Sequence, residues 1–245
     1  LCCLVFCGDC RGRAVRLVAW DALPEEMRNE WVRPYYEALA KKRVQLVGKR
    51  CFDVALSTIL LVLLSPAFLV LAIAVKLDSP GPVFYRQERV TQYGKRFRIF
   101  KFRTMCDRAD QMGSAVTTGG DARVTRVGAK IRDYRLDEIS QLIDILRGTM
   151  TFVGTRPEVP RYVEGYTPEM MATLLLPAGV TSTASIQFKD EADLLNGADD
   201  VDKVYVEEIL PLKMEYNLQD VKKFSLPRDL RIMLTTVGAV TNRGE

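Results

Sequence analysis

Residues 131–160 read IRDYRLDEISQLIDILRGTMTFVGTRPEVP, and the rest of the chain is organised around them. Leu136, Ile139, Leu142, Ile143 and Leu146 recur at three- and four-residue spacing, which predicts the apolar stripe of a helix. Gly148 supplies its stop. Asp137 and Glu138 then fall in the first turn, where free backbone N–H groups and the helix dipole favour negative charge and attract phosphate. Neighbouring helical residues point about 100° apart, so the two carboxylates do not make a symmetric dyad and suit two separate jobs. Taken alone, such a pair most often just complements the dipole. Its surroundings point elsewhere. Arg123, Arg126, Lys130, Arg132 and Arg135 precede it, and a Thr155-Arg156-Pro157 turn with Pro160 follows. Carboxylates walled by arginines suit an anionic substrate.

The 245 residues allow one or two domains with a sizeable core, and the formal charge of +4 is modest for a nucleic-acid binder. A phosphate-rich partner or an anionic membrane surface fits better, and no nucleic acid is expected. There is no histidine, which removes His-based acid/base catalysis, Ser-His and Cys-His nucleophile pairs and the usual zinc sites. Carboxylates, Lys, Tyr, Cys and a hard metal remain. Of six cysteines, Cys2, Cys3, Cys7 and Cys10 crowd the start, while Cys51 and Cys106 stand apart. Cys7 and Cys10 form a CxxC without a second pair, so all six read as reduced thiols of a cytosol-facing protein. The opening LCCLVF lacks a positive leader and is a poor signal peptide, and a start at Leu suits a fragment or a misread start.

Residues 1–18 read as a dispensable extension. Residues 19–48 form an interfacial helical region in which Leu23, Met27, Trp31 and Tyr35 recur at helical spacing and Pro34 bends or divides the segment; a surface helix packed on a globular core fits equally. Between Asp53 and Lys76 lie 22 uncharged residues. A straight helix of that length is about 33 Å, enough to cross a hydrocarbon core of about 30 Å. Two features favour a helix-break-helix over residues 49–77 that enters and leaves on one face. Ser65-Pro66 falls in the middle, and basic residues (Lys41, Lys42, Arg43, Lys49 and Arg50 before; Lys76, Arg86 and Arg89 after) flank both ends. A single span is the alternative.

Residues 78–245 are expected to form the catalytic domain with C-terminal helices. Pro80-Gly81-Pro82 is a turn, and residues 83–85 and 97–102 read as short strands around a Tyr-Gly turn. Arg86, Arg89, Lys95, Arg96, Arg98, Lys101 and Arg103 make this the most basic region. They suit either solvated strand faces beside lipid headgroups or a pyrophosphate. Residues 107–122 read as a mobile lid. Helices are predicted over residues 167–176 and 199–210 and in the C-terminal LPRDLRIMLTTVGAV.

The runs KRCFDVALS, FYRQERV, KFRTM, DARVTRVGAKIR and RLDEISQLIDILRGTMTFVGTRP, in this order, resemble the bacterial sugar transferases called small monotopic phosphoglycosyl transferases, closely over residues 45–160 and loosely beyond. The resemblance implies an α/β class (α+β, mostly helical): a re-entrant membrane helix broken at Ser65-Pro66, interfacial helices, and a small catalytic domain on the cytoplasmic face of the bacterial inner membrane. It implies transfer of a sugar-1-phosphate from a UDP-sugar donor to a polyprenol phosphate acceptor such as undecaprenyl phosphate, with release of UMP and use of Mg2+, as the first membrane step of glycoconjugate or exopolysaccharide synthesis. By the same resemblance Asp137 is the nucleophile and Glu138 the magnesium ligand. Lys101, Arg103, Arg132 and Arg156 hold phosphates or nucleotide, and Pro157 stiffens the turn. A homo-oligomer is allowed. Thr155 replaces the usual proline, Arg135 replaces a Ser or Thr cap, and residues 179–195 lack the usual Gly-Trp-Ala-Gln pattern, which bears on sugar choice. A non-catalytic membrane-anchored scaffold or nucleotide-binding module is the alternative, and it would not need Asp137. A tethered nucleic-acid binder has only residues 86–103 in its favour.

Overall fold

The structure is a computed structural model that describes residues 17–106, 109, 121–189, 191–195 and 200–241. The start with its four cysteines and most of the expected lid at residues 107–122 lie outside the described residues. Those described are mostly helical, with three small two-stranded sheets.

Residues 17–40 pack into the core. Leu17, Leu23, Met27, Val32, Tyr35, Tyr36 and Leu39 are buried together with Leu174, Leu175 and Val221. The Tyr36 hydroxyl donates to the Val18 carbonyl at 2.8 Å, which ties residues 17 and 18 to this core. Pro34 does not bend a helix but sits in the first turn of α1 (Arg33–Ala40), where a missing N–H costs nothing. One face of this region packs against the core, while Trp31 stays exposed.

Helices α2 (Arg43–Leu63) and α3 (Ser65–Asp78) are bent by 63° across Leu64. Pro66 lies in the first turn of α3, and Ser65 Oγ donates to the Val62 carbonyl at 2.8 Å, taking up an acceptor that proline cannot serve. Among the described residues no single helix is long and apolar enough to cross a membrane, but the bent pair passes that test together. Val44, Val47, Ile59, Val62, Leu63, Leu69, Val70, Ile73 and Leu77 of this pair are exposed. So large an apolar face is out of place in water.

Two cations expected to flank the insertion are instead internal. Lys49 is buried, and Arg50 donates to the Ile145 and Leu146 carbonyls at 2.6 and 2.8 Å, in the last turn of the helix Leu142–Arg147.

After α3, β1 (Phe84–Tyr85) pairs antiparallel with β4 (Lys101–Phe102), and β2 (Glu88–Val90) with β3 (Arg96–Arg98). Tyr93 and Gly94, both at positive φ, make the predicted turn. Next come α4 (Arg126–Asp133), a 3-10 turn at Leu136–Gln141 and α5 (Leu142–Arg147), which ends at Gly148 in the left-handed region as expected. Strand β5 (Met150–Val153) pairs parallel with β6 (Ala178–Thr181), with α6 (Pro160–Val163) between them. Helices α7 (Thr183–Gln187), α8 (Glu191–Leu194) and α9 (Val201–Val204) follow. A π-helical turn at Tyr205–Ile209 leads into α10 (Leu210–Lys222) and then α11 (Leu226–Thr241). The helix predicted over 167–176 is a 3-10 turn at Met170–Leu175, and the one over 199–210 runs on to Lys222. Helix α11 packs on α2, α7, β5 and β6, leaving Leu230, Leu234 and Val237 exposed.

Candidate active site

The predicted helix over the Asp-Glu pair forms, but its first turn is 3-10 and is entered through Arg135 at φ 53°. A cap donated by residue 135 is therefore absent; its left-handed backbone instead redirects the chain so that residues 137 and 138 face β4. The register is held through Phe100. Its N–H donates to Asp144 Oδ2 at 2.8 Å, and its carbonyl accepts from Ser140 Oγ at 3.0 Å. Lys101, the next residue, is thereby placed beside Glu138.

Glu138 is gripped from two sides. Lys101 Nζ lies 3.0 Å from Oε1, and the Arg156 guanidinium forks onto the carboxylate, with Nη2 on Oε1 and Nη1 at 3.2 Å from Oε2. Arg156 follows β5 in a turn fixed by Arg89, whose Nη1 donates to the buried Pro157 carbonyl at 3.0 Å. The Val90 N–H donates to the Glu158 carbonyl at 2.9 Å. Thr155 keeps the turn in place through its carbonyl, which accepts from Gly179 N at 2.8 Å.

Burial alone would raise the Glu138 carboxyl, but Arg156 and Lys101 reverse this and hold it well below the usual range. Asp137 behaves oppositely. Burial raises its carboxyl, Lys101 opposes that, and Glu138 adds to it. No side-chain hydrogen bond or ion pair to Asp137 forms among the described residues, so its oxygens stay open. Burial lowers the Lys101 ammonium and Glu138 partly restores it, while Glu138 raises the Arg156 guanidinium.

Of the other expected residues, Arg132 lies within electrostatic reach of Asp137. Arg103 is elsewhere: buried, it donates to the Pro80 and Ser79 carbonyls at 2.6 and 2.7 Å and ties down the turn after α3. Arg86 is also structural, stacked 3.5 Å from the centre of the Phe100 ring and donating to the Arg98 carbonyl at 2.6 Å. Ser65 and Pro66 are at the bend and exposed. Ser140 and Asp144 were not singled out from sequence, and Arg89 was named only as one of a basic run; a carboxylate inside the apolar run Leu142–Arg147 was a signal for Asp144.

Glu138 opens on a cleft of about 300 Å³, with Asp137 next to it in the chain. Glu138, Arg156, Arg135 and Lys189 line it together with apolar Leu60 and Leu64 from the bend and Ala239 of α11. Charge thus meets an apolar wall that leads to the exposed faces of α2 and α11. Among the described residues no cluster of three or more Cys, Asp or Glu is placed to hold a metal. The oxygens present still fit a magnesium ion, which takes one or two carboxylates and completes its shell with water and phosphate. Glu138 Oε2 accepts only one hydrogen bond and keeps a free lone pair.

The sequence model described as "Bacterial sugar transferase" matches residues 44–243. A UDP-N-acetylgalactosamine-undecaprenyl-phosphate N-acetylgalactosaminephosphotransferase of Aeromonas hydrophila is 35% identical over 78% of this chain and 43% of its own. Two proteins named UDP-glucose:undecaprenyl-phosphate glucose-1-phosphate transferase are similarly related. That of Escherichia coli (strain K12) is 34% identical over 87% of this chain and 44% of its own. That of Caulobacter vibrioides is 36% identical over 77% and 68%. This chain thus spans less than half the length of two of these relatives and about two thirds of the third. With a match over residues 44–243, most of its length, the chain belongs to the bacterial sugar transferase family.

Proposed function

We propose that the protein is a membrane-bound phosphoglycosyl transferase that moves a sugar-1-phosphate from a UDP-sugar to a polyprenol phosphate such as undecaprenyl phosphate, releasing UMP. The observation that carries this reading is the division of labour in the Asp-Glu pair. Glu138 is held by Lys101 and Arg156 with a lone pair of Oε2 left over, whereas Asp137 is half-buried with no side-chain partner among the described residues. A desolvated carboxylate without hydrogen bonds is a better nucleophile than a solvated one.

An Asp137 oxygen attacks the sugar-bearing phosphorus, and the bond from that phosphorus to the bridging oxygen breaks, so UMP leaves with the electron pair. The acyl phosphate formed is then attacked by an oxygen of the polyprenol phosphate, which regenerates the Asp137 carboxylate. Arg156 and Lys101, with Arg132 nearby, hold the phosphates and offset the charge that develops on them. Glu138, with Asp137 beside it, would hold magnesium, which supplies charge neutralisation on the phosphate oxygens.

The bent α2–α3 pair supports a re-entrant anchor in the cytoplasmic membrane, with the catalytic domain on the cytoplasmic face. Leu60 and Leu64 then bring the apolar end of the cleft to the lipid boundary, and a site at that boundary also keeps water from the acyl phosphate. The test is UMP release by the protein in nanodiscs, with magnesium, undecaprenyl phosphate and a panel of UDP-sugars. Lipid-dependent UMP from one or a few donors is expected; none from any donor would refute the reading.

A further inference from the structure

Lys213 is a lysine in the core. It stands on α10 among Leu210, Met214 and Asn217 and is 5% exposed. A buried ammonium is tolerated only where acceptors surround it. Nζ donates to Glu191 Oε2 at 2.7 Å and to Tyr205 Oη at 2.9 Å, and lies 3.8 Å from Glu158 Oε1. Tyr205 Oη in turn donates to Glu158 Oε1 at 2.6 Å. Burial, with Glu158 alongside, pushes the Tyr205 hydroxyl up, so it keeps the proton this chain of bonds requires. Tyr205 opens the π-helical turn, a local departure from α geometry of the sort that recurs at functional sites.

The two carboxylates belong to two different segments, each of which contributes other residues to the cleft lining. Glu158 lies two residues after Arg156, in the turn that Arg89 and Val90 hold from below. Glu191 begins α8, and its N–H bonds to the Phe188 carbonyl at 3.2 Å, which anchors the segment carrying Ser185, Ile186 and Lys189 into the cleft wall. Without a cation between them these two acids would repel each other across the core.

Resting on the reading above, we infer that Lys213 is a positioning residue that fixes the separation between the Arg156 turn and the 185–191 wall, and thereby the fit of the donor's sugar. It touches neither Asp137 nor the reacting phosphorus. Its loss therefore weakens donor binding and discrimination more than the rate once donor is bound.

The test uses the full chain in nanodiscs with Glu191→Gln and Lys213→Met. Glu191 has a side chain 27% exposed, so its variant keeps the fold even if Lys213→Met does not. Glu191→Gln should raise donor KM about tenfold and narrow the kcat/KM ratio between best and second-best donor, with kcat and acceptor KM within about twofold of the parent. A folded Glu191→Gln protein with unchanged donor KM and donor ratio overturns the inference, as does an equal rise in acceptor KM. Amide hydrogen exchange gives a readout that needs no activity. Glu191→Gln should speed exchange in residues 185–195 alone, and Lys213→Met in both 156–163 and 185–195. If the parent releases no UMP but this pattern appears, the transferase reading fails and the positioning role stands; without the pattern the positioning role fails.

Discussion

Replacing Lys49 by Met tests whether α2 is locked to the domain by charge rather than by apolar packing alone. Lys49 Nζ bridges Asp229 Oδ2 of α11 at 2.5 Å and the Val153 carbonyl of β5 at 2.8 Å, with side chains only 3% and 12% exposed in the ion pair. Asp53, one turn along α2, lies in reach of the same ammonium and accepts from Thr151 Oγ1 at 2.7 Å. Methionine fills the lysine stem's space but leaves the buried Asp229 without its ion-pair partner and Asp53 with only Arg50 in reach. Breaking a buried pair in this way costs about 3–5 kcal/mol. For a chain of this size that is a fall of about 6–20 °C in thermal midpoint. The loss depends on pH. Burial already raises the Asp229 carboxyl, Lys49 opposes that, and removing Lys49 raises it further. A folded-state value above the unfolded one favours the protonated form, so the variant is closest to the parent in acid and loses stability as pH rises through the raised value. The assay is thermal unfolding of nanodisc-embedded protein from pH 5 to 8. Lys49→Met/Asp229→Asn should recover more than half of the loss at pH 7.5. A Lys49→Met midpoint within 2 °C of the parent at pH 7.5, or a penalty that grows toward acid, would refute the reasoning.

Further outcomes follow from the same geometry. Because Asp137 must be ionised to attack and Lys101 is the main charge holding its carboxyl down, Lys101→Met should move the acid limb of the kcat/KM profile to higher pH; an unmoved limb would contradict this. Burial raises Asp144 to about 6, so its stabilising contribution is full below the ordinary carboxylate range and fades as pH rises through that value. Asp144→Asn should therefore gain on the parent by about 1–3 kcal/mol between pH 4 and 7, read as thermal midpoints. A Cβ on Gly179 would fall 2.1 Å from Gly154 N and 2.2 Å from its carbonyl oxygen, all backbone. Gly179→Ala should part β5 from β6 at a cost of about 3 kcal/mol or more, seen as a lowered midpoint and lost activity.

Local chemistry explains what could be read in advance. The apolar stripe from Leu136 to Leu146, the Gly148 stop, the Tyr93-Gly94 turn and the break at Ser65-Pro66 each depend on residues within one or two turns of one another, and each is present. Lys101 and Arg156 meet at Glu138, a contact the resemblance did not give, since it assigned them only phosphates or nucleotide to hold. Failures came where partners are distant in sequence. Composition marks Lys49 and Arg50 as headgroup cations, yet Asp229 and the α5 carbonyls claim them from about 180 and 95 residues away. The resemblance gave Arg103 phosphate or nucleotide to hold; in the structure its guanidinium donates to the Ser79 and Pro80 carbonyls. The Phe100 clamp and the bonds joining Lys213, Tyr205 and Glu158 are likewise invisible to periodicity, because they connect separate elements through single polar atoms. Proline reads the same whether it bends a helix or opens one, so the sequence left both open for Pro34; the structure divides the segment, with Pro34 in the first turn of α1.

The most direct test of the central claim is a single-turnover experiment without acceptor. The nanodisc-embedded protein is mixed with magnesium and its best UDP-sugar, and both UMP and the intact protein mass are followed. A burst of up to about one UMP per protein, with a matching phosphosugar adduct on the peptide containing Asp137, is predicted, and both should be absent in Asp137→Asn. UMP formed only when polyprenol phosphate is added, with no adduct and with turnover surviving in Asp137→Asn, would contradict a covalent role for Asp137.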